Sequence, residues 1–61
     1  MRILLIDSEP LVRDALVHLL VELRPGAAVL QAATAQEGVC ALERDQAIGL
    51  VVLDPAADGP A

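Results

Sequence analysis

Two unbroken apolar runs frame the chain, Ile3-Leu4-Leu5-Ile6 near its start and Leu50-Val51-Val52-Leu53 near its end. Each is too short for a helix and lacks the polar alternation of a half-exposed strand. Such runs read as strands buried on both faces, as in a parallel sheet. The pattern predicts strands over Arg2–Ile6 and Ile48–Leu53. A weaker run, Ala28–Ala32, has small side chains and a central Gln31, which suits an edge strand. Between the runs the period changes to that of a helix. Pro10 can occupy a first helical position at no cost in hydrogen bonding, and Ser8 and Glu9 stand where a cap belongs. Val12, Ala15, Leu16, Leu19 and Leu23 fall on one stripe, with Arg13, Asp14, His18 and Glu22 off it. Arg24 suits the helix C-terminus, and Pro25-Gly26 ends it. Thr34-Ala35-Gln36-Glu37 has the spacing of a capping box and predicts a second helix to about Asp45. Val39 and Leu42 form its stripe, and Gly38 permits close approach to a sheet.

The predicted order is strand, helix, strand, helix, strand. Parallel crossovers are right-handed in nearly all cases. The fold class is α/β, a βαβαβ unit with a three-stranded parallel sheet in order 2-1-3 and its two helices on opposite faces. That strand order is borrowed from the known flavodoxin-like arrangement. It would place Asp7 and Asp54, which follow the first and third strands, side by side at the C-terminal end of the sheet. Ligands bind at that end in such sheets. Two carboxylates there would suit a divalent cation, and one of them could act as a nucleophile. They also read as ordinary solvated strand ends.

Composition narrows the field. Sixty-one residues hold one small unit, which buries only about 60% of its unfolded surface. Apolar content is 56% with no aromatic residue, so burial comes from small aliphatic side chains. Such a unit is expected to be poorly folded alone or to self-associate through an exposed sheet edge and faces. The net charge of −5 is the wrong sign for contact with a nucleic-acid backbone. Cys40 has no partner for an internal disulfide. No apolar run approaches the ~20 residues of a membrane span, and the start of the chain lacks the apolar core of a signal peptide. The expected location is cytoplasmic.

Read together, these segments resemble the N-terminal half of a response-regulator receiver domain, the phosphoacceptor module of two-component signalling. Residues 2–13 (RILLIDSEPLVR) are similar to that family's opening strand, acidic turn and first helix. Residues 31–38 (QAATAQEG) resemble its second strand and second helix start, and Leu50-Val51-Val52-Leu53-Asp54 the strand ending in the phosphoacceptor. The resemblance covers essentially the whole chain, residues 1–61. It implies a signalling module rather than an enzyme, with a histidine kinase or phosphotransfer protein as partner. Asp54 would accept the phosphoryl group. Asp7, Asp54 and the Ala56 backbone carbonyl would bind Mg²⁺, with Glu9 as a further candidate ligand.

Three departures qualify that reading. Ser8 stands where the family usually has a second acidic ligand, so Mg²⁺ binding is expected to be weak. After Asp54, an ungapped alignment puts Asp58 where the family usually has proline and Gly59 on a common glycine. The family's fourth and fifth strands, with their switch hydroxyl and phosphate-contacting lysine, have no counterpart in these residues. The chain is thus expected to be a truncated receiver, and a module that only binds partners is the alternative. His18 reads as a surface residue, Cys40 as a small helix residue, and Asp58-Gly59 as a turn. Val17 and Val21 lie across the helix from the predicted stripe, where the resemblance implies part of a kinase-docking surface. A nucleotide site is disfavoured, because the first strand–helix turn has no glycine-rich loop.

Overall fold

The computed structural model describes residues 1–57, so Asp58 and Gly59 lie outside the described residues. The elements are β1 (Arg2–Ile6), α1 (Pro10–Leu23), β2 (Ala28–Ala32), α2 (Ala35–Arg44) and β3 (Ile48–Leu53). The sheet is parallel throughout, in order β2-β1-β3. Ile6 is in register with Ala32 on one side and Leu53 on the other. Strand boundaries and strand order agree with the sequence pattern.

Side chains alternate along β1, and each set meets a different layer. Leu4 and Ile6 join Ala32 and Ala57 in the core, flanked by Leu30, Ala41 and Ile48. This is the α2 face. Ile3 and Leu5 point the other way and are also fully buried, beneath α1. The helices therefore cover opposite faces, both centred on β1 and β2. β3 is less well covered. The expected burial of this strand on both faces is not met: Leu50, Val51 and Leu53 remain 43%, 42% and 55% exposed, and the core thins beyond β1, with Ile48 packed against it.

Gly38 sets the height of α2 above the sheet. A Cβ at that position would lie 2.3 Å from Ile6 Cδ1 and 2.9 Å from Cγ1, inside van der Waals contact. The expectation of close approach is met, but the predicted α2 stripe is not. Ala35, Gly38 and Ala41 turn inward, and Val39 is 55% exposed. The smallest residues face the sheet because only they allow this separation.

The predicted α1 stripe also needs correction. Val12, Leu19 and Leu23 are exposed, while Arg13, Leu16, Val17 and Leu20 are partly buried toward the sheet. The buried face is rotated from the expected one by roughly 100°, one residue step of a helix. Apolar residues occur all around α1, so periodicity alone does not select a face. Val17 belongs to the packed side and not to an outer patch, whereas Val21 is 43% exposed.

The termini of the helices behave as their sequences suggest, with two exceptions. Thr34 Oγ1 accepts from the Glu37 amide at 3.1 Å, closing the predicted cap of α2. Gly26 takes a positive φ of 90° after α1, a conformation that suits glycine. At the start of α1, neither Ser8 nor Glu9 provides a side-chain cap. At its end, the Arg24 guanidinium turns to the Met1 sulfur rather than to the last carbonyls.

Candidate functional site

The C-terminal edge of the sheet brings Asp7 and Asp54 to adjacent strand ends. The ladder continues one step past each strand: the Asp7 amide donates to the Ala32 carbonyl at 3.0 Å, and the Asp54 amide to the Ile6 carbonyl at 2.9 Å. Asp7 is thus fixed to β2 and Asp54 to β1 by backbone bonds. Their adjacency follows from the register pairing Ile6 with Leu53.

Their surroundings differ. Asp7 is 3% exposed, and it is the buried charged residue among those described. A carboxylate is costly to bury without hydrogen bonds. Its Oδ1 accepts from the Glu9 amide at 2.9 Å, which bends the chain from β1 into α1. Asp54 is partly exposed. Its Oδ1 accepts from the Ala56 amide at 3.0 Å, and its carbonyl accepts from the Ala57 amide at 3.0 Å. This turn folds Ala57 down onto Leu4 and Ile6 and leaves Ala56 outside. Apolar packing below the turn holds Asp54 at the rim.

Ser8 and Glu9 are both exposed beside buried Asp7. Glu9 contributes its backbone here: its amide reaches Asp7 and its carbonyl accepts from the Arg13 amide at 2.8 Å. Among the described residues, no three of histidine, cysteine, aspartate and glutamate gather into a metal-holding group. The local acidic set is the pair Asp7 and Asp54.

One residue of this region escaped the sequence pattern. Arg13, expected on the polar side of α1, turns toward the sheet. Its Nη1 donates to the Asp7 carbonyl at 2.9 Å and its Nε to Gln31 Oε1 at 3.2 Å. It ties the start of α1 to β1 and β2 directly below the acidic turn. The available signal was its spacing from Leu16, Val17 and Leu20, which places all four on one helical face.

Other chemistry-bearing groups stay apart from this pair. A groove of about 490 Å³ runs along α2, lined by Gln31, Gln36, Glu37, Cys40, Ala41 and Arg44. It includes neither Asp7 nor Asp54. His18 is exposed on α1, where its Nδ1 lies 2.8 Å from the Asp14 carbonyl. That bond and the Asp14 and Glu22 carboxylates raise its pKa above the ordinary histidine value. Cys40 is exposed and free. No helix among the described residues is long and apolar enough to cross a membrane.

Comparison with known proteins adds no relative. No family model matches the chain, and no match was found among curated proteins or solved structures.

Proposed function

We propose that the chain is a flavodoxin-like half-domain of the response-regulator receiver type, with Asp54 as phosphoacceptor. The observation that carries this reading is the pairing of a buried carboxylate, Asp7, with a rim carboxylate, Asp54, at adjacent C-terminal ends of a parallel 2-1-3 sheet. The resemblance of residues 2–13, 31–38 and 50–54 to that family supports the same roles. The cognate partner is a histidine kinase or phosphotransfer protein, which places the module in the cytoplasm.

The chemistry asks little of the protein beyond position and charge. A carboxylate oxygen of Asp54 attacks phosphorus, forming a P–O bond as the P–N bond to the donor imidazole breaks. The imidazole leaves with its electron pair and takes a proton from water. Phosphoryl transfer depends mainly on alignment and electrostatic stabilisation. Asp54 is suited to attack because it sits partly exposed on a turn anchored by Ala57. Asp7 is suited to hold charge because the Glu9 amide and the Arg13-braced backbone fix it in place. Mg²⁺ is commonly held by one or two carboxylates, with waters and phosphate oxygens completing its shell, and when bound would neutralise the phosphoryl charge. Asp7 and Asp54 fit that small share, with the Ala56 carbonyl as a further oxygen donor, while among the described residues the Glu9 carboxylate does not gather with them into a group of three. The exposed, uncharged Ser8 makes the site weak.

A second reading is a degenerate receiver that only contacts partners. It is favoured by the missing charge at Ser8 and by the absence of a third acidic group beside Asp7 and Asp54 among the described residues. Intact-mass analysis after treatment with a small phosphodonor and Mg²⁺ separates the two. The phosphoacceptor reading expects slow, partial labelling that requires Mg²⁺, disappears in Asp54→Ala, and increases in Ser8→Asp. No labelling even in Ser8→Asp, with the fold retained, would leave the partner-only reading in place.

A further inference from the structure

Asp7 is held in a closed circuit of hydrogen bonds, and Arg13 completes it. The Glu9 amide donates to Asp7 Oδ1 at 2.9 Å, and the Glu9 carbonyl accepts from the Arg13 amide at 2.8 Å, the first bond of α1. The Arg13 side chain then returns to the start, with Nη1 donating to the Asp7 carbonyl at 2.9 Å. A second ring runs through the sheet. The Asp7 amide donates to the Ala32 carbonyl at 3.0 Å, and Arg13 Nε donates to Oε1 of the adjacent Gln31 at 3.2 Å. This takes a planar fork that donates in two directions; a lysine offers one nitrogen on a flexible stem. Arg13 makes no ion pair with the Asp7 carboxylate. Among the described residues the ion pairs are Arg2–Asp45 and, when His18 is protonated, His18–Asp14. The acceptors of Arg13 are neutral oxygens, so its charge does not occupy the carboxylate. No donor among the described residues reaches Asp7 Oδ2. No buried polar side-chain atom among them lacks a partner, so Oδ2 keeps contact with solvent.

We propose that Arg13 is a positioning residue for cation binding at Asp7. It locks Oδ1 into the turn through the Glu9 peptide and leaves Oδ2 as the oxygen offered to Mg²⁺. The identity of the cation rests on the phosphoacceptor reading; the lock itself does not. Charge and position predict opposite signs for the loss of this side chain. A guanidinium near the site repels a cation, so by charge alone its removal tightens Mg²⁺ binding. By position, its removal frees the acidic turn and weakens binding. Repulsion at a solvent-facing rim is screened by salt. Groups that orient a metal ligand typically contribute about 10- to 100-fold in affinity. Position should therefore prevail, and binding should weaken.

Amide hydrogen exchange and amide chemical shifts of the isotope-labelled chain test this, with no phosphodonor present. In the metal-free chain, Arg13→Met should speed exchange of the Glu9 amide while the α2 amides keep their wild-type rates. Arg13→Lys keeps the charge but not the fork, and should behave like Arg13→Met. Gln31→Ala removes only the β2 arm and should give a smaller change in the same direction. In titrations with Mg²⁺ alone, both Arg13 variants should raise the half-saturating concentration about tenfold. Unchanged Glu9 exchange would overturn the proposal, as would acceleration spread equally over α2, which marks a general loss of fold. Tighter Mg²⁺ binding in Arg13→Met with Arg13→Lys at wild-type affinity would also overturn it, by showing that only charge matters. Failure of the phosphoacceptor reading looks different. Mg²⁺ then shifts the amides of wild type and Asp7→Asn alike, which overturns the cation role of Arg13 while Glu9 exchange still reports the lock.

Discussion

Single residues carry much of this fold because the unit is so small. Gly38 is the clearest case. Alanine would favour the helix by about 1 kcal/mol, but overpacking a buried contact costs roughly 1–3 kcal/mol. With Ile6 Cδ1 at 2.3 Å from the added carbon, the clash should prevail and Gly38→Ala should destabilise by about 1 kcal/mol in denaturant unfolding. A stabilised variant would mean that α2 can lift away freely. Asp45 gives a pH signature. Arg2 Nε donates to its Oδ2 at 2.6 Å and the Ala47 amide to its Oδ1 at 2.9 Å. The Arg2 guanidinium, then that amide, holds the Asp45 carboxyl below its usual range. A folded pKa below the unfolded one stabilises the fold above the unfolded value, and this is lost as pH falls through the folded value. The melting advantage of the wild type over Asp45→Asn should therefore hold near neutrality and vanish in acid below about pH 4. An advantage undiminished in strong acid would contradict the contact. No sequence pattern pointed to Arg2–Asp45, because its partners are distant in the chain and meet only through the α2–β3 connection.

The elements show what hydrophobic patterning resolves and what it leaves open. Strand limits were legible because the apolar runs end sharply at charged or turn-forming residues: Ile6 at Asp7, Leu53 at Asp54-Pro55. Helix limits were legible from Pro10, Pro25-Gly26 and Thr34. Helix orientation was not. α1 has apolar residues on every side, and the deciding contacts are Arg13 with the Asp7 carbonyl and Gln31, polar bonds invisible to a hydrophobic stripe. α2 is oriented by the absence of side chains, through Gly38, Ala35 and Ala41. Thr34→Ala should cost about 1 kcal/mol by removing the cap on the Glu37 amide, with helix content and melting temperature as the readouts. Unchanged stability would show that water replaces this bond without loss.

At the scale of the whole molecule, the core is centred on β1 and thins toward β3. Ile3, Leu4 and Leu5 are fully buried, while Leu11, Leu23 and Leu53 stand more than half exposed. A unit with this much uncovered aliphatic surface should melt at a temperature that rises with protein concentration, as expected when association stabilises the folded form. A sharp, concentration-independent melt of a monomer would argue against that. The convergence of Asp7 and Asp54 was legible from the chain, given the borrowed strand order. The burial of Ala57 and the brace from Arg13 were not, since each depends on tertiary contacts. The claim that these pieces form one phosphoacceptor is tested most directly by locating the phosphoryl group. After treatment with a small phosphodonor and Mg²⁺, the acyl phosphate is trapped by borohydride reduction and the peptides are mapped by mass spectrometry. The account predicts modification at Asp54 alone, dependent on Mg²⁺ and reduced in Asp7→Asn. Modification at Asp7, Glu9 or another carboxylate, or labelling of Asp54 indifferent to Mg²⁺ and to Asp7, would contradict it.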